Sequence, residues 1–447
     1  MYNRGLRWQY AALFGLFAPR WRRARLEAFQ DARVRALIHH SYRNVPYYRR
    51  LFDKAGLQPE DIRTIADLAK IPPSSRAAFQ SVPPRDLIAR GCNPERLVVH
   101  RTSGSTGEPF NILRTAFEDR LLQAYRLAVL FRFGMRLDDR RAAVVTRKFT
   151  RWPLYMRAGL LRYEEIHCLQ EPDEILARLR QACPDVLRGF PGTLAFLAGI
   201  MTGADRERIR PRFITTDSET LTPAMRSMIE AGFGAKVIDF YDSHEFNLIA
   251  AECPVTGLYH VSDASLVGEV VSHGLPARPG EEGEFIGTAL QSWAMPFIRF
   301  SLGDLVTRGP ESCPCGAQNS VLAGITGRVA NRFQLPDGRS LHPYALVNPL
   351  LAHGAWVRQY QIVQVRENLV HVKLAPLPGA NPSPEAVAAV GQLLRDKLGP
   401  GVAVEVVLVD RIPAARNGKY RPYYSLLPGT GAATQTESTV GPAETIR

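Results

Sequence analysis

The sequence predicts an α/β protein with a large N-terminal domain of several subdomains and a smaller α+β C-terminal domain. Its 447 residues exceed what one compact core accommodates. From Leu97 onward, β-type runs alternate with helical runs of ten or more residues, which is typical of a substantially parallel sheet. After Gly327 the order becomes strand, strand, helix, strand. The predicted limits are 1–326 for the large domain, 327–428 for the small domain and 429–447 for a disordered tail.

The region before the alternating core has a helical pattern from Leu26 to about Arg90, with apolar residues three and four positions apart. Three proline positions interrupt it, so we expect several short helices. The interruptions are Pro46, Pro59 and the pair Pro72-Pro73. Beyond the alternating core, the segment from Gly268 to Thr307 has short runs separated by Gly/Pro turns, which predicts an antiparallel hairpin region.

Composition and charge narrow the functional classes. The chain is 45% hydrophobic and 22% charged, as in a globular protein. A net charge of +13 suits anionic ligands such as nucleotides or coenzymes. The arginines are scattered, however, and no basic block is interleaved with aromatic residues, so we expect no nucleic-acid partner. Six cysteines are too few for a disulfide scaffold, which favours a reducing cytoplasm.

The N-terminus contains the one apolar stretch that invites a membrane interpretation, Tyr10–Pro19. It is shorter than the roughly 18 to 20 apolar residues that span a bilayer. Arginines follow it and no small-residue cleavage site is present, which argues against export. We predict a packed helix here, with peripheral membrane contact as the alternative and no stable insertion.

The most informative motif is the loop Thr102-Ser-Gly-Ser-Thr-Gly-Glu-Pro109, which follows the predicted strand Leu97–His100. Its hydroxyls and backbone N–H groups suit phosphate oxygens, and its glycines permit close approach of the backbone. The GxxxxGK[ST] spacing of a P-loop is absent. Taken alone, the loop is also explained as an ordinary Ser/Gly/Thr loop.

Four further motifs occur in order along the chain. They are Tyr241-Asp-Ser-His-Glu245, Arg299-Phe-Ser-Leu-Gly-Asp304, Thr326-Gly-Arg328 and Asn417-Gly-Lys419. Together with the first loop, and with the segments GFPGTLAFLA and TTDSETL, they make the chain resemble the adenylate-forming superfamily of acyl-CoA synthetases. The resemblance is strongest to its phenylacetate-CoA ligase-like branch and covers nearly the whole chain.

The resemblance implies an ATP-dependent, AMP-forming acid–thiol ligase. The large domain would be the AMP- and acyl-binding domain, and the small domain would be mobile. A small-molecule carboxylic acid, aromatic in this branch, would be adenylated with ATP and Mg²⁺ and then transferred to coenzyme A. Two alternatives remain open at this point. One is another acceptor, such as an amine, a carrier-protein thiol or a sugar-pathway intermediate; the other is a non-catalytic nucleotide-binding homologue.

Residue roles follow from the same resemblance, and the chemistry requires such groups because adenylation brings two anions together. The loop residues Ser103, Gly104, Ser105, Thr106 and Gly107 would hold the β- and γ-phosphates. Glu245 would bind Mg²⁺, and Asp304 would accept hydrogen bonds from the ribose hydroxyls. Arg328 would lie near ribose and phosphate, and Lys419 would neutralise charge at the α-phosphate. Tyr241 completes the predicted nucleotide site. Each residue alone is also explained as a turn, surface or ion-paired residue.

Two positions depart from the family pattern. Asp242 replaces the usual glycine after the tyrosine of the YDSHE motif, and it adds a carboxylate near a triphosphate. Ala330 replaces the acidic hinge residue about which the small domain rotates between half-reactions. The thioester step is the one that the second departure affects.

A second constellation combines Cys253 and His260 with Cys313 and Cys315. Three thiolates and one imidazole suit a tetrahedral Zn²⁺ site that would clamp two chain segments together. The spacing is not that of a common zinc finger. The alternative is a set of thiols without metal, but similar Cys/His placements occur as structural zinc sites in members of the resembled branch.

Overall fold

A computed structural model describes the chain in two compact units. The described residues are 21–101, 110–146, 159–328, 332–341, 343, 345–347, 350, 356–377, 379–413 and 420–427. The first unit holds the described residues up to Gly327 together with Tyr420, and the second holds the others. The predictions for Tyr10–Pro19 and for the tail 429–447 lie outside the described residues. The predicted domain limits stay a prediction.

The N-terminal region is helical, as predicted. Helix α1 spans Arg23–Asn44, α2 spans Pro46–Ala55 and α3 spans Arg76–Gln80. Pro46 is the first residue of α2, where its missing N–H costs no hydrogen bond. Gly56 ends α2 with φ of 66°, a left-handed conformation that glycine adopts without strain. Short 3₁₀ turns follow at Pro59–Asp61, Ile65–Lys70, Pro84–Leu87 and Pro94–Arg96.

One large mixed sheet dominates the first unit, and a separate hairpin joins β2 to β3. The order of its strands is β12-β11-β13-β14-β15-β10-β9-β8-β7-β6-β4-β5, with β1 paired to β14. The strands are β1 Ser74–Ser75, β2 Val98–Arg101, β3 Asn111–Arg114, β4 Arg141–Val145, β5 Tyr163–His167, β6 Val186–Gly189, β7 Phe213–Thr216, β8 Lys236–Ser243, β9 Asn247–Glu252, β10 Tyr259–Val261, β11 Leu266–Ser272, β12 Leu275–Pro276, β13 Glu282–Ala289, β14 Phe300–Arg308 and β15 Val321–Arg328.

The half of the sheet from β4 to β8 is parallel, which confirms the predicted alternation of strands and helices. Strand β5 was not predicted, because in YEEIH only Ile166 is buried and the strand lies at the sheet edge. The helices of this half are α4 Ala116–Arg132, α5 Pro172–Ala182, α6 Pro191–Ile200, α7 Gly203–Arg208 and α8 Pro223–Phe233.

The other half of the sheet is mainly antiparallel, as the Gly/Pro turns predicted. Its core is rich in aromatic residues that also contact the N-terminal helices. Phe79 of α3 stacks on Phe297, with ring centroids 5.7 Å apart. Fully buried aromatic rings supply much apolar area, so the N-terminal region is part of this core rather than an appendage. Phe79, Phe246, Phe285, Phe297 and Phe300 are among its buried members.

The second unit contains a four-stranded sheet in the order β20-β19-β18-β21. Its elements are β16 Phe333–Gln334, β17 Ser340–Leu341, β18 Val357–Arg366, β19 Leu369–Pro376, α9 Pro384–Leu398, β20 Ala403–Leu408 and β21 Tyr423–Ser425. The predicted order of strand, strand, helix and strand is confirmed, and β21 adds a parallel partner to β18. Ile362, Val372 and Leu394 lie in its fully buried core.

No helix in the described part of the chain is long and apolar enough to cross a membrane.

Candidate functional site

Two residues predicted to bind the nucleotide lie in contact. Tyr241 is near the carboxyl end of β8, and Asp304 is in β14. The Tyr241 hydroxyl donates a hydrogen bond to Asp304 Oδ2 at 2.7 Å, and both residues are buried. A buried phenol donating to a carboxylate fixes the orientation of both side chains. The structure therefore brings together two motifs that lie far apart in the sequence.

A bulge in β14 sets the direction of Asp304. Glu284 pairs with Leu305 and Ile286 with Ser301, so residues 302–304 lie opposite Phe285 alone. Gly303 has φ of 71°, which an L-residue adopts only with strain. Bulges of this kind redirect a side chain from the regular alternation of a strand. The glycine before Asp304 is therefore needed by the backbone at the site.

Arg299, which begins the same motif, has a structural role. Its guanidinium is buried, forms an ion pair with Glu269 at 3.0 Å and donates to the carbonyl oxygens of Ala69 and Ile71. These contacts attach the end of the N-terminal helical region to the sheet. The charge at the start of RFSLGD thus supports the strand that carries Asp304.

Glu245 lies in the turn between β8 and β9 and is buried. Its Oε1 atom is 3.4 Å from an Arg76 guanidinium nitrogen, at the start of α3. The ion-paired alternative considered for Glu245 is therefore the arrangement found. At this distance the hydrogen bond is long and weak.

Arg114 is a residue that motif reasoning missed. It ends β3, the strand that follows the Ser/Gly/Thr loop, and its side chain is buried. The guanidinium donates to the backbone carbonyl oxygens of His244 and Glu245, the latter at 3.1 Å. Burial lowers the pKa of Arg114, although Asp119 and Glu118 oppose this. Arg114 thereby joins the hairpin of the predicted phosphate loop to the turn that carries Glu245.

The unexpected carboxylate Asp242 belongs to an ion-pair network at the carboxyl ends of β6, β7 and β8. Arg126 of α4 donates to Asp242 at 2.7 Å and to Asp217 at 2.8 Å. Arg188 donates to the same Asp217 oxygen at 2.6 Å. Two arginines thus balance two carboxylates, which explains how the extra acid of the YDSHE motif is accommodated.

The pKa values in this network are shifted by burial and by charge. Burial raises the pKa of Asp242, and the nearby Asp217 charge raises it further. Burial also acts on Asp217, but Arg188 and Arg126 hold the pKa of that carboxyl below its usual range. Asp217 is therefore the permanent anion of the network. Ligands of open α/β sheets bind at the carboxyl ends of strands, which is where this network lies.

Several predicted residues cannot be placed beside these. The phosphate-loop residues Ser103, Gly104, Ser105, Thr106 and Gly107 lie outside the described residues, between β2 and β3, and so do Ala330 and Lys419. Arg328 is the last residue of β15. Their roles stay predictions.

The predicted cysteine and histidine ligands come together in space. Cys253 follows β9, His260 lies in β10, and Cys313 and Cys315 precede β15. Their four candidate ligand atoms all lie within 4.8 Å of one another. The Cys253 and Cys313 sulfurs are 3.9 Å apart, and Cys315 Sγ is 3.5 Å from His260 Nε2. Zn–S bonds of ~2.3 Å in a tetrahedron place two sulfurs ~3.8 Å apart, so the donor set fits Zn²⁺.

The surroundings of this cluster suit a metal as well. Burial lowers the pKa of His260, which favours the neutral imidazole that a metal needs. Burial raises the pKa of Cys253, but hydrogen bonds from Thr256 and backbone N–H groups bring it below its ordinary value. A cavity of about 220 Å³ reaches His260 and Cys315 and offers a path to the cluster.

Comparison with known proteins finds one matching domain family and relatives that are named as ligases. The CapK C-terminal domain family matches residues 334–423. A phenylacetate-coenzyme A ligase from Thermus thermophilus is 27% identical over 432 residues, covering 89% of this chain and 96% of that protein. A phenylacetate-coenzyme A ligase from Aromatoleum evansii is 25% identical, covering 83% and 86%.

Solved structures agree on the fold. A 2-hydroxyisobutyryl-CoA ligase in the postadenylation state aligns with a TM-score of 0.73 at 20% identity, covering 90% of each chain. A benzoate CoA ligase from Burkholderia xenovorans aligns with a TM-score of 0.53 at 18% identity, covering 74% of this chain and 68% of that one. The predicted resemblance is therefore confirmed: the chain is similar to phenylacetate-coenzyme A ligases over most of its length, and it shares the fold of solved CoA ligases.

Proposed function

We propose that this protein is an AMP-forming carboxylic acid ligase that uses coenzyme A as acceptor. The acid carboxylate attacks the α-phosphorus of ATP, which forms the acyl-adenylate and releases pyrophosphate. The thiolate of coenzyme A then attacks the acyl carbon, forms the thioester and releases AMP. The observation that carries the proposal is the contact between Tyr241 and Asp304, which joins two predicted nucleotide motifs in one buried arrangement.

The nucleotide would bind along the carboxyl end of β8. Asp304 would accept hydrogen bonds from both ribose hydroxyls, as the two oxygens of a carboxylate allow. Tyr241, which holds Asp304, would complete the adenosine subsite. We assign the phosphates to the loop 103–107 and the α-phosphate to Lys419 and Arg328. Arg114 supports this assignment, because it connects the strand after the loop to the turn of Glu245.

Mg²⁺ would bind at Glu245. The carboxylate supplies the hard oxygen donor that this cation prefers, and a triphosphate would supply others. The long contact of 3.4 Å to Arg76 is weak enough to be exchanged for a cation. Bound Mg²⁺ would neutralise phosphate charge, while Arg114 holds the turn that presents Glu245.

We propose a structural Zn²⁺ at Cys253, His260, Cys313 and Cys315. The support is the mutual approach of four donors from separate chain segments, within 4.8 Å of one another. The ion would tie the loop before β15 to β9 and β10. A zinc content near zero in protein purified without chelator would contradict this assignment.

The acid is proposed to be aromatic, because the relatives in Thermus and Aromatoleum are named for phenylacetate.

We assign residues 1–326 to the AMP- and acyl-binding domain and 327–428 to a mobile domain. A cytoplasmic location is proposed as well, since all six cysteines are free thiols.

The test is ATP–pyrophosphate exchange with phenylacetate, benzoate, aryl acids bearing hydroxyl groups and short aliphatic acids. We expect exchange that depends on the acid and on Mg²⁺, and an exchange rate reduced at least a hundredfold in Lys419→Ala. Exchange with none of these acids, or undiminished exchange in the variant, would count against the proposal. Circular dichroism of the variant controls for folding.

A further inference from the structure

Tyr420, the residue directly after Lys419, belongs to the first unit and is fixed there by hydrogen bonding and packing. Tyr420 is 6% exposed, and its backbone N–H donates to Glu219 Oε1 at 2.6 Å. The other oxygen of the same carboxylate accepts the N–H of Gly192 at 3.0 Å. One side chain thus joins the chain at Tyr420 to the start of α6. Charge-assisted hydrogen bonds of this kind are stronger than those between neutral groups.

Gly192 is the second part of this arrangement. A Cβ atom added at Gly192 would lie 2.7 Å from the Tyr420 Cβ and 3.0 Å from two ring carbons. A separation of 2.7 Å between carbon atoms is well inside van der Waals contact. Gly192 lies in the first turn of α6, where alanine is a better helix former than glycine. The absence of a side chain here therefore serves the close approach of Tyr420 and not the helix.

We infer that Glu219 and Gly192 form a seat for Tyr420 and act as positioning residues for Lys419 in the adenylation half-reaction. The inference rests on the proposed function of Lys419. Fixing the backbone at Tyr420 would limit the backbone positions open to the residue bonded to it, and positioning of a reacting group contributes strongly to rate. The seat itself touches no substrate.

The two half-reactions distinguish positioning from a general structural role. Adenylation creates additional negative charge at the α-phosphate, which Lys419 neutralises. Thioester formation from a ready acyl-adenylate proceeds after pyrophosphate has left and has no such requirement. Disturbing the seat therefore slows the first half-reaction and spares the second, whereas a loss of folded protein slows both.

The decisive variant is Gly192→Ala, with Gly203→Ala as matched control. Gly203 is also at the start of a helix, and a Cβ there meets nothing within 4 Å. With phenylacetate, we expect Gly192→Ala to lower ATP–pyrophosphate exchange at least tenfold, with thioester formation from phenylacetyl-adenylate and coenzyme A within twofold of wild type. Gly203→Ala leaves both within twofold. Equal losses in both half-reactions, or unchanged exchange, would overturn the inference.

A second measurement is independent of any substrate. Deuterium exchange of the backbone amide in peptides that contain Tyr420 reports the hydrogen bond to Glu219 directly. We expect protection in the wild type and at least tenfold faster exchange in Gly192→Ala and in Glu219→Gln, whose amide offers only one acceptor oxygen. A wild-type amide that exchanges as fast as in both variants would refute the seat. Wild-type protein that shows this protection but turns over no acid would contradict the proposed function alone.

Discussion

The parallel and antiparallel halves of the large sheet differ in what lies at the ends of their strands. In the parallel half, charged side chains meet at the carboxyl ends, where Arg126 joins Asp217 and Asp242. In the antiparallel half, aromatic rings fill the core, and the Cys/His cluster lies at the end of β9 and β10. Tyr241 and Asp304 connect the two halves. The difference indicates that ion pairs hold the strand ends of the parallel half, whereas aromatic packing holds the antiparallel half.

The largest expected effect follows from breaking the network in the parallel half with Arg126→Ala. The buried Asp217 and the half-buried Asp242 then lose their shared partner, and removing one member of a buried ion pair costs about 3–5 kcal/mol. Urea unfolding measures the change. Arg136→Ala, an exposed arginine just beyond the same helix, is the control and should change stability by less than about 0.5 kcal/mol. A loss of stability below about 1 kcal/mol for Arg126→Ala would contradict the expected contribution of this network to folding.

A smaller effect is expected where the two halves meet. Asp304→Asn keeps the shape of the side chain and removes its charge, which would weaken the proposed hydrogen bonds from the ribose hydroxyls by about 1.5–3 kcal/mol in total. We expect the KM for ATP in pyrophosphate exchange to rise by roughly 10- to 100-fold. Tyr241→Phe removes only the hydrogen bond that supports Asp304, so it should raise the KM for ATP less than Asp304→Asn does. An unchanged KM in Asp304→Asn would remove Asp304 from the nucleotide site.

The Cys/His cluster offers a test of the rigidity of the antiparallel half. Cys313→Ser removes one proposed zinc ligand, and we expect loss of bound zinc and a stability lower by about 1–2 kcal/mol, as for other losses of a structural metal ligand. Elemental analysis and thermal unfolding give both quantities. Cys183→Ser, a thiol in the parallel half, is the control and should retain the zinc. Zinc absent from both wild type and variant would identify the cluster as thiols without metal.

The smallest expected effect concerns pH. Burial raises the pKa of Asp239 to about 7, although hydrogen bonds from Thr216 and Tyr259 oppose the rise. An acid with a raised pKa in the folded state favours folding when it is protonated, so this stability is present at pH 4 and is lost as pH rises through 7. We expect the free energy of unfolding of wild type, relative to Asp239→Asn, to fall by about 1 kcal/mol between pH 6 and 8. A difference that does not change with pH would contradict the raised pKa of Asp239. Two neighbouring charges also act on this pKa: Glu252 raises it and Arg226 lowers it.

Much of the architecture was predictable from the sequence, because it depends on local patterns. The proline positions ended helices where expected, and the apolar periodicity indicated the parallel strands. The polar edge strand β5 was missed because its burial comes from one residue, Ile166. Sheet order was not predictable, since pairing of strands distant in sequence leaves no local pattern.

The candidate site was only partly predictable. Tyr241, Asp304 and the four Cys/His residues were predicted from residue type and order, and the structure brings each set together, while their roles stay predictions. Arg114 and Arg126 were not predicted, and Glu219 was noted only as part of the TTDSETL segment, because each acts through a partner brought close only by folding. A lone arginine in a helix has the same sequence signal whether it faces solvent or two carboxylates.

The most direct test of the central claim is a product balance for wild-type protein with phenylacetate, ATP, Mg²⁺ and coenzyme A. Liquid chromatography with mass detection would quantify AMP, pyrophosphate and phenylacetyl-coenzyme A together. We expect these three products in equal amounts, with none formed when the acid is omitted. AMP and pyrophosphate released without any thioester would contradict coenzyme A as the acceptor.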